Sequence, residues 1–277
     1  MTEEKAVEAT NNTTEKWLLP LLLWALPLVT LALGTRTWLP PLASEHGAGI
    51  DRMLRYLLIS VGALYIIGNV ALGYFVWRFS RQSRVTLRAA SHKAERRWSI
   101  VPVVLMTLVA EGGVFVLGLP VWGQYYGAPP DNVLTVEVTA EQFAWNVRYA
   151  GPDGKFGKTA PQLISWNNPL GVDHKDPNGR DDIILLNEIH LPLNKPARIR
   201  LRSKDVIHSF YVPDFRVRQD AVPGMTIEIW FVPTQRGTFE LACSQLCGFG
   251  HYAMRGIVQV VTPDEFDQWL KEQEANN

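Results

Sequence analysis

Both cysteines of this 277-residue chain, one of its six histidines and one of its five methionines fall in the stretch CSQLCGFGHYAM, from Cys243 to Met254. The order is Cys243-x3-Cys247-x3-His251-x2-Met254. Thiolate and thioether donors suit copper, and a mixed sulfur and nitrogen set is how electron-transfer copper sites are built. Two thiolates four positions apart on a tight loop can both bridge a pair of metal ions, and Gly248 and Gly250 let the chain turn back so that the imidazole joins them. Two rival chemistries use the same residues. A Cys₂His set holds zinc, but the nearest fourth donor is Met254, a poor zinc ligand. A disulfide would close a very small loop and constrain the unfolded chain little. Met254 alone would read as a core residue; beside these donors it reads as a ligand.

The elements that must position this cluster divide sharply. Three apolar segments crowd the first 122 residues, and the sequence beyond about residue 130 reads as a water-soluble domain. The first candidate span, residues 17–38, begins WLLPLLLWALPLVTLAL, holds Pro20 and Pro27, and crosses a bilayer only if it continues toward Trp38, with Arg36 snorkelling to the headgroups. Spans at 54–77 and 98–122 reach the roughly 20 residues that crossing requires. The first also resembles a signal peptide, but its leading region is long and diluted by acids, so an uncleaved anchor is expected. Between the second and third spans, residues 78–97 carry Arg78, Arg81, Arg84, Arg88, Lys93, Arg96 and Arg97. So basic a short loop marks the cytoplasmic side of the membrane. The tail 1–16 is then cytoplasmic, 39–53 is an external loop, and everything after Trp122 lies outside. Both cysteines are thus in an oxidising compartment, where free thiols persist only for a reason.

Short runs follow Pro129 and Pro130: VLTVEVTAEQFAWNVRY, DIILLNEIHL, ARIRLRS, HSFYVP, TIEIWFVP, GTFELAC and GIVQVV. Their two-residue periods and frequent Pro or Gly punctuation predict an all-β sandwich or small barrel over 130–262. The Gly-, Pro- and Asp-rich stretch from Gly151 to Asp182 reads as an external loop. Residues 263–277 start like a helix, with Thr262 as cap, Pro263 at the first position and acids in the first turn. With 27 basic and 27 acidic residues the net charge is zero, which gives no case for nucleic acid or an acidic substrate. A copper pair calls for a second imidazole. His46 falls in the external loop, His92 on the cytoplasmic side and His174 in the polar insertion. His208 lies at a strand-to-loop junction in SKDVIHSFYVP, which in a sandwich can sit beside the cysteine loop; it is the first choice and His190 the second.

SKDVIHSFYVP followed by CSQLCGFGHYAM resembles subunit II of the haem-copper cytochrome oxidases, with further likeness in EQFAWNVRY, NEIHLPLNKPARIRLRS and RRWSIVP, over about residues 50–270. The resemblance implies a cupredoxin-like sandwich outside the membrane, two anchoring helices and a binuclear copper centre, CuA. It implies electrons from a soluble or tethered cytochrome c, passed to haem in subunit I, where oxygen is reduced to water. Partners would be subunit I, further membrane subunits and lipid. Under it Cys243 and Cys247 are the bridging thiolates, His208 and His251 the terminal imidazoles, Met254 the thioether of one copper and Gln245 the backbone carbonyl for the other.

Departures from the family pattern carry their own expectations. Gln245 stands where most relatives have a Glu that helps hold magnesium; an amide oxygen is a weaker ligand for that hard cation, so the resemblance leaves the magnesium site open here. Phe143 replaces the exposed tryptophan through which cytochrome c delivers its electron, with Trp145 and Tyr149 as aromatic neighbours. Asp205 could contribute to an acidic rim for a basic cytochrome, and Lys204 weakens that rim. Glu95, before RRWSIVP, matches a glutamate at the cytoplasmic mouth of a proton path into subunit I. The first span is additional to the family's pair. Glu111, inside the third span, requires a polar partner within a complex. Two other functions share these features: the electron-entry subunit of a copper-containing nitric oxide reductase, told apart by iron rather than copper opposite the catalytic haem, and a stand-alone copper-handling protein, which would purify without haem subunits. The chain lacks C-x-x-C-H, so the donor's haem comes from elsewhere.

Overall fold

A computed structural model describes residues 13–34, 39–80 and 91–276. The expectations for residues 1–12, for the Arg36 and Trp38 end of the first span, and for Arg81, Arg84 and Arg88 lie outside the described residues. The chain divides into two compact units, Met1–Leu39 with Arg52–Leu117, and Pro40–Asp51 with Gly118–Asn277.

Among the described residues, three helices are long and apolar enough to cross a membrane. Helix α1 (Thr13–Gly34) keeps Pro20 and Pro27 inside it. Helix α2 (Gly47–Phe79) and helix α3 (His92–Tyr126) are each longer than a bilayer core requires. Leu18, Leu22, Ile59, Ile67, Val103 and Val116 stand among many exposed apolar side chains on these helices, the surface expected of segments solvated by lipid. The Trp24 indole donates to the Val70 carbonyl at 3.2 Å, fastening α1 to α2. Helix α3 is capped by Ser91, whose hydroxyl accepts from the Ala94 amide, and it changes to π-helical turns over Thr107–Glu111.

The external loop predicted for 39–53 is a loop only in its first part. Helix α2 already runs from Gly47, because polar contacts that hydropathy does not register hold its first turns: the Gly47 amide donates to Ser44 Oγ, and the Arg216 guanidinium meets both Asp51 oxygens at 2.8 and 3.1 Å. Ahead of it, the Ala43 amide donates to the Asp214 carbonyl and the Glu45 amide to the Val232 carbonyl, and Ala43 is fully buried in the β domain.

That domain is a sandwich of two five-stranded sheets. The strands are β1 (Leu134–Glu141), β2 (Ala144–Tyr149), β3 (Ile183–Leu186), β4 (Glu188–Pro192), β5 (Ala197–Ser203), β6 (His208–Val212), β7 (Val217–Ala221), β8 (Ile227–Phe231), β9 (Gly237–Cys243) and β10 (Arg255–Val261). One sheet has the order β3-β2-β1-β5-β8 and the other β4-β10-β9-β6-β7. Val136, Val138, Ile199, Leu201 and Phe231 from the first sheet meet Ile189, Leu191, Phe210, Val212, Leu241 and Val258 from the second in one buried core. A C-terminal helix, α4 (Pro263–Asn276), closes one end. Thr262 and Glu265 cap it reciprocally, and Trp269 stacks on His190 with ring centroids 4.1 Å apart.

Two features escape the sequence pattern. DIILLNEIHL looks continuous but is cut at Asn187, whose φ of 60° turns β3 out of one sheet and β4 into the other. Asn187 bonds Trp145 from both its backbone amide and its side-chain oxygen, while its carbonyl accepts from Ile257 in the opposite sheet. Strand β7 was not expected, because VRQDA is mostly polar; it is an edge strand, where one face meets water.

The polar insertion is pinned by a buried charge cluster. Arg148, 2% exposed, meets Glu137 Oε2 at 3.2 Å, Asp182 Oδ2 and the Gly157 carbonyl at 2.6 Å, and lies over the Phe156 ring. Removing the guanidinium takes the nearest cation from two buried carboxylates, leaving Glu137 to the more distant Arg200 and Arg202, at 3.7 and 3.8 Å, while Asp182 keeps the Gly157 amide. Arg148→Met should therefore destabilise the domain by about 3–5 kcal/mol, read as a lowered denaturation midpoint of the full chain in detergent; an unchanged midpoint would show the cluster to be energetically idle.

Candidate metal centre

His208 opens β6 and Cys243 ends β9, and these strands are hydrogen-bonded neighbours, with Phe210 opposite Cys243. From Cys243 the chain makes a short loop, a 3-10 turn over His251–Ala253, and re-enters the sheet as β10 beside β9. The Cys243 amide donates to the Met254 carbonyl at 3.2 Å and closes the loop at its mouth, and the Ser244 amide donates to the Ser209 carbonyl. Within the loop the His251 amide donates to the Gly248 carbonyl, which turns the chain back on itself.

The side chains converge as a result. Cys243 Sγ lies 3.8 Å from Cys247 Sγ, 4.0 Å from His208 Nδ1 and 3.2 Å from the Gln245 carbonyl oxygen. Cys247 Sγ lies 3.6 Å from His251 Nδ1 and 3.8 Å from Met254 Sδ. Both cysteines are free and buried, and His208 and Met254 are buried with them. The donor atoms of His208, Cys243 and Cys247 lie within 4.8 Å of one another, a spacing fit to hold a metal ion. Two sulfurs with imidazole nitrogens, a thioether and a carbonyl within reach match the soft donor preference of copper.

A second layer of bonds orients the first. Asp205 Oδ1 sits 2.8 Å from His208 Nε2, which leaves Nδ1 turned toward the sulfurs, and its Oδ2 accepts from the Gln142 amide at 2.7 Å. Gln142 Nε2 donates to the Cys247 carbonyl at 2.6 Å. One carboxylate thus ties the β1–β2 turn to the His208 junction, and the Gln142 side chain ties that turn to the cysteine loop. Burial disfavours the imidazolium of His208, yet its partners Cys243 and Asp205 outweigh burial and raise its pKa. Burial would likewise raise the Asp205 carboxyl, but bonds from His208, Gln142 and Val206 hold it below the usual range. Burial opposes ionisation of Cys243 too, and hydrogen bonds from His208 and the surrounding backbone prevail, bringing the thiol down to about 6. Burial and the neighbouring Cys243 sulfur push Cys247 up to about 11.

The other residues singled out in the sequence separate into groups. Phe143, 36% exposed, lies on the loop: a Cβ added at Gly250 would fall 2.4 Å from its ring, so only glycine admits this approach. Trp145 and Tyr149 do not share that surface. Both are buried, Trp145 with its ring 6.3 Å from that of His208, and Tyr149 with its hydroxyl donating to the His190 carbonyl. Lys204 is paired with Glu141 at 2.6 Å. His190 is drawn away from the cluster by Glu188, at 2.6 Å, and by the stack on Trp269. His46 is buried edge-on against Tyr125 and Trp230. Glu95 is exposed in the first turn of α3, 3.8 Å from His92. Leu246, Phe249 and Tyr252 were not anticipated. They are 79%, 93% and 76% exposed and form an apolar face on the cysteine loop. The signal lay between the ligands, since a loop that turns its donors inward points the intervening residues out.

A two-sheet β domain carried on apolar spanning helices, with a sulfur and imidazole cluster between neighbouring strands, defines a membrane-anchored protein of the cupredoxin-like class. Residues 134–261 match the family described as cytochrome C oxidase subunit II, periplasmic domain. The chain is 35% identical to the alternative cytochrome c oxidase subunit 2 of Bradyrhizobium diazoefficiens, over 92% of this chain and 91% of that one. It is 30% identical to cytochrome c oxidase subunit 2 of Cereibacter sphaeroides, over 85% and 80% of the two chains. The crystal structure of the periplasmic domain of subunit II of cytochrome oxidase from Bradyrhizobium japonicum shares 33% identity, covers 53% of this chain and 97% of its own, and aligns with a TM-score of 0.40. The chain belongs to the cytochrome c oxidase subunit 2 family. It is accordingly a subunit of the electron-transferring haem-copper-type oxidases, multi-pass in the membrane with its β domain on the periplasmic side.

The unequal thiols make a measurable claim. In the reduced, metal-free full chain, ultraviolet thiolate absorbance should rise in two separate steps with increasing pH. One equivalent appears below the ordinary thiol value as Cys243 ionises, and the second only above it as Cys247 ionises. A single step for both near the ordinary thiol value of about 8.5 would show that the bonds around Cys243 do not persist in solution.

Proposed function

We propose that this chain is the electron-entry subunit of a respiratory cytochrome c oxidase. It accepts electrons from cytochrome c, soluble or tethered, at a binuclear copper centre of the CuA type, and passes them to haem in subunit I, which reduces oxygen to water. The observation that carries this reading is the convergence of His208, Cys243, Cys247, His251 and Met254, with the Gln245 carbonyl, at one end of the sandwich. A copper pair bound there would supply reversible one-electron chemistry. Cys243 and Cys247 would hold it through their thiolates, His208 and His251 through Nδ1, Met254 through its thioether and Gln245 through its backbone carbonyl. The amide of Gln245 gives no support for a magnesium site of the family type.

The chain's own residues then have distinct tasks. The strand pairing keeps the ligands in nearly the same places in both oxidation states, so little reorganisation accompanies each electron. Phe143, at the surface and in contact with the ligand loop, offers the entry point from the donor. Leu246, Phe249 and Tyr252 exclude water from the loop where a partner protein docks. Asp205 holds the His208 ring and its tautomer, as metal-ligating histidines require. Glu95, exposed at the start of α3, would receive protons from the cytoplasm for subunit I, and α1 would remain as an additional, uncleaved anchor beside the family's helix pair.

Metal analysis together with visible and electron paramagnetic resonance spectra of the detergent-extracted complex tests this. Two coppers per chain sharing one unpaired electron are expected, and Cys247→Ser should abolish the shared signal; a fully metallated sample with one zinc, or with the two sulfurs joined, would overturn the proposal. Asp205→Ala should weaken copper binding by about 10–100-fold, as read by competitive chelation.

A further inference from the structure

Where the chain leaves the third span it passes a small cavity that electron transfer does not use. The cavity has a volume of about 330 Å³, within the range of about 300–1,000 Å³ common for small-ligand sites. Tyr125, Tyr126, Pro129, Arg198, Glu228 and Trp230 are among its walls. Trp122 and Tyr126, 66% and 52% exposed, end the apolar helix α3 as aromatic residues at a membrane interface do. With Trp122 at the edge of the hydrocarbon, Tyr126 lies about 6 Å beyond it at about 1.5 Å per residue, inside a headgroup layer about 5–8 Å deep. The cavity therefore opens among lipid headgroups rather than in bulk water.

Its walls are set by the sheet and by fixed rings. Trp230 on the edge strand β8 stands opposite Arg198 on β5, which stands beside Thr135 on β1, so the three form one row across the sheet. Glu228, two residues before Trp230, shares their face. Thr135 Oγ1 accepts from Arg198 Nε and Nη2 at 3.2 and 3.1 Å and holds the guanidinium by one edge. Arg198 Nη1 lies 3.6 Å from Glu228 Oε2, beyond hydrogen-bond reach, and has no hydrogen bond among the described residues. The other Glu228 oxygen accepts from Arg200 at 2.8 Å. The Trp230 indole donates to the Gly127 carbonyl at 3.0 Å and the Tyr125 hydroxyl to the Arg216 carbonyl at 3.2 Å. The buried ring of His46 packs edge-on against both of these aromatics.

We propose that this cavity binds the headgroup of a zwitterionic phospholipid, its phosphate on Arg198 and its ammonium beside Glu228 and the Tyr125, Tyr126 and Trp230 rings. Both charge signs stand in one cavity without a hydrogen bond between them, which selects a ligand carrying both signs. A guanidinium anchored by one edge presents its remaining N–H groups to a phosphate oxygen, and such charge-assisted bonds are among the stronger ones. A cluster of aromatic rings with a carboxylate attracts an alkylammonium through ring faces and charge together. A headgroup with phosphate but no ammonium would leave its negative charge facing Glu228. The inference uses no residue of the metal cluster and stands whichever acceptor the electrons reach.

Native mass spectrometry of the delipidated full chain in detergent, titrated with defined lipids, tests this. The probes are diacyl phosphatidylethanolamine, diacyl phosphatidylglycerol, and glycerophosphoethanolamine, which carries the headgroup without acyl chains. Wild type should prefer phosphatidylethanolamine to phosphatidylglycerol by about tenfold. Arg198→Gln should weaken both lipids about tenfold, since each offers a phosphate. Glu228→Gln should weaken phosphatidylethanolamine while strengthening phosphatidylglycerol, so that the preference disappears or reverses, an outcome that loss of folding does not produce. Tyr126→Leu, at an exposed wall, should weaken phosphatidylethanolamine by about threefold. The melting midpoint of each lipid-free variant checks that its β domain is intact. Equal binding of the two lipids by wild type, or a wild-type preference kept by both Arg198→Gln and Glu228→Gln, would overturn the proposal. Glycerophosphoethanolamine binding as tightly as the diacyl lipid would also overturn it and assign the cavity to a soluble phosphodiester.

Discussion

The pairing of β6, β9 and β10 is the constraint on which the rest depends. His208 stands at the first residue of one strand, Cys243 at the last of its neighbour, and Met254 immediately before the third. Backbone bonds between these strands bring donors separated by up to 46 positions in sequence, from 208 to 254, to distances of a few ångströms. His208, Cys243 and Met254 each lie within one residue of a hydrogen-bonded ladder, and Cys247 and His251 are held on the short loop between β9 and β10. A metal centre that must change charge without moving its ligands requires that rigidity.

The second layer extends the same logic outward. Asp205 and Gln142 connect the β1–β2 turn with both halves of the cluster, so the surface residue Phe143 and the buried sulfurs belong to one bonded assembly. Asp205, expected to serve an acidic rim, is exposed and also bonds His208 and Gln142 through its two oxygens. Trp145 and Tyr149 exchange an expected surface role for the core, where one packs near the His208 ring and the other bonds the backbone of β4. What stays exposed there is the cysteine loop's own apolar residues, Leu246, Phe249 and Tyr252.

Much of this architecture was legible. Alternation marked β1, β5, β8 and β10, because each has one face in the core and one toward solvent. Long apolar runs marked the spans, because lipid tolerates little else. Soft donors concentrated in twelve residues marked the centre. What escaped notice shares one cause: the informative partner is remote in sequence. β7 is polar because it is an edge. The break at Asn187 looks like any strand residue until Trp145 and Ile257 are beside it. Glu137 sits on the solvent side of an alternating strand, and is buried only because the insertion brings Asp182 and Gly157 over Arg148. Helix α2 begins early because Asp51 finds Arg216.

The sequence by itself determined the chemistry available, the β class of the outer domain and its attachment to a membrane, since donor types, residue periodicity and apolar length are local properties. Only the tertiary structure decided that Glu188 and Trp269 hold His190 apart from the cysteines, that Asp205 bonds both His208 and Gln142, and that Trp145 and Tyr149 lie in the core. The physical reason is that a strand residue's surroundings are set by the strands and loops packed against it. Those neighbours are fixed by pairing over distances along the chain that no local pattern encodes.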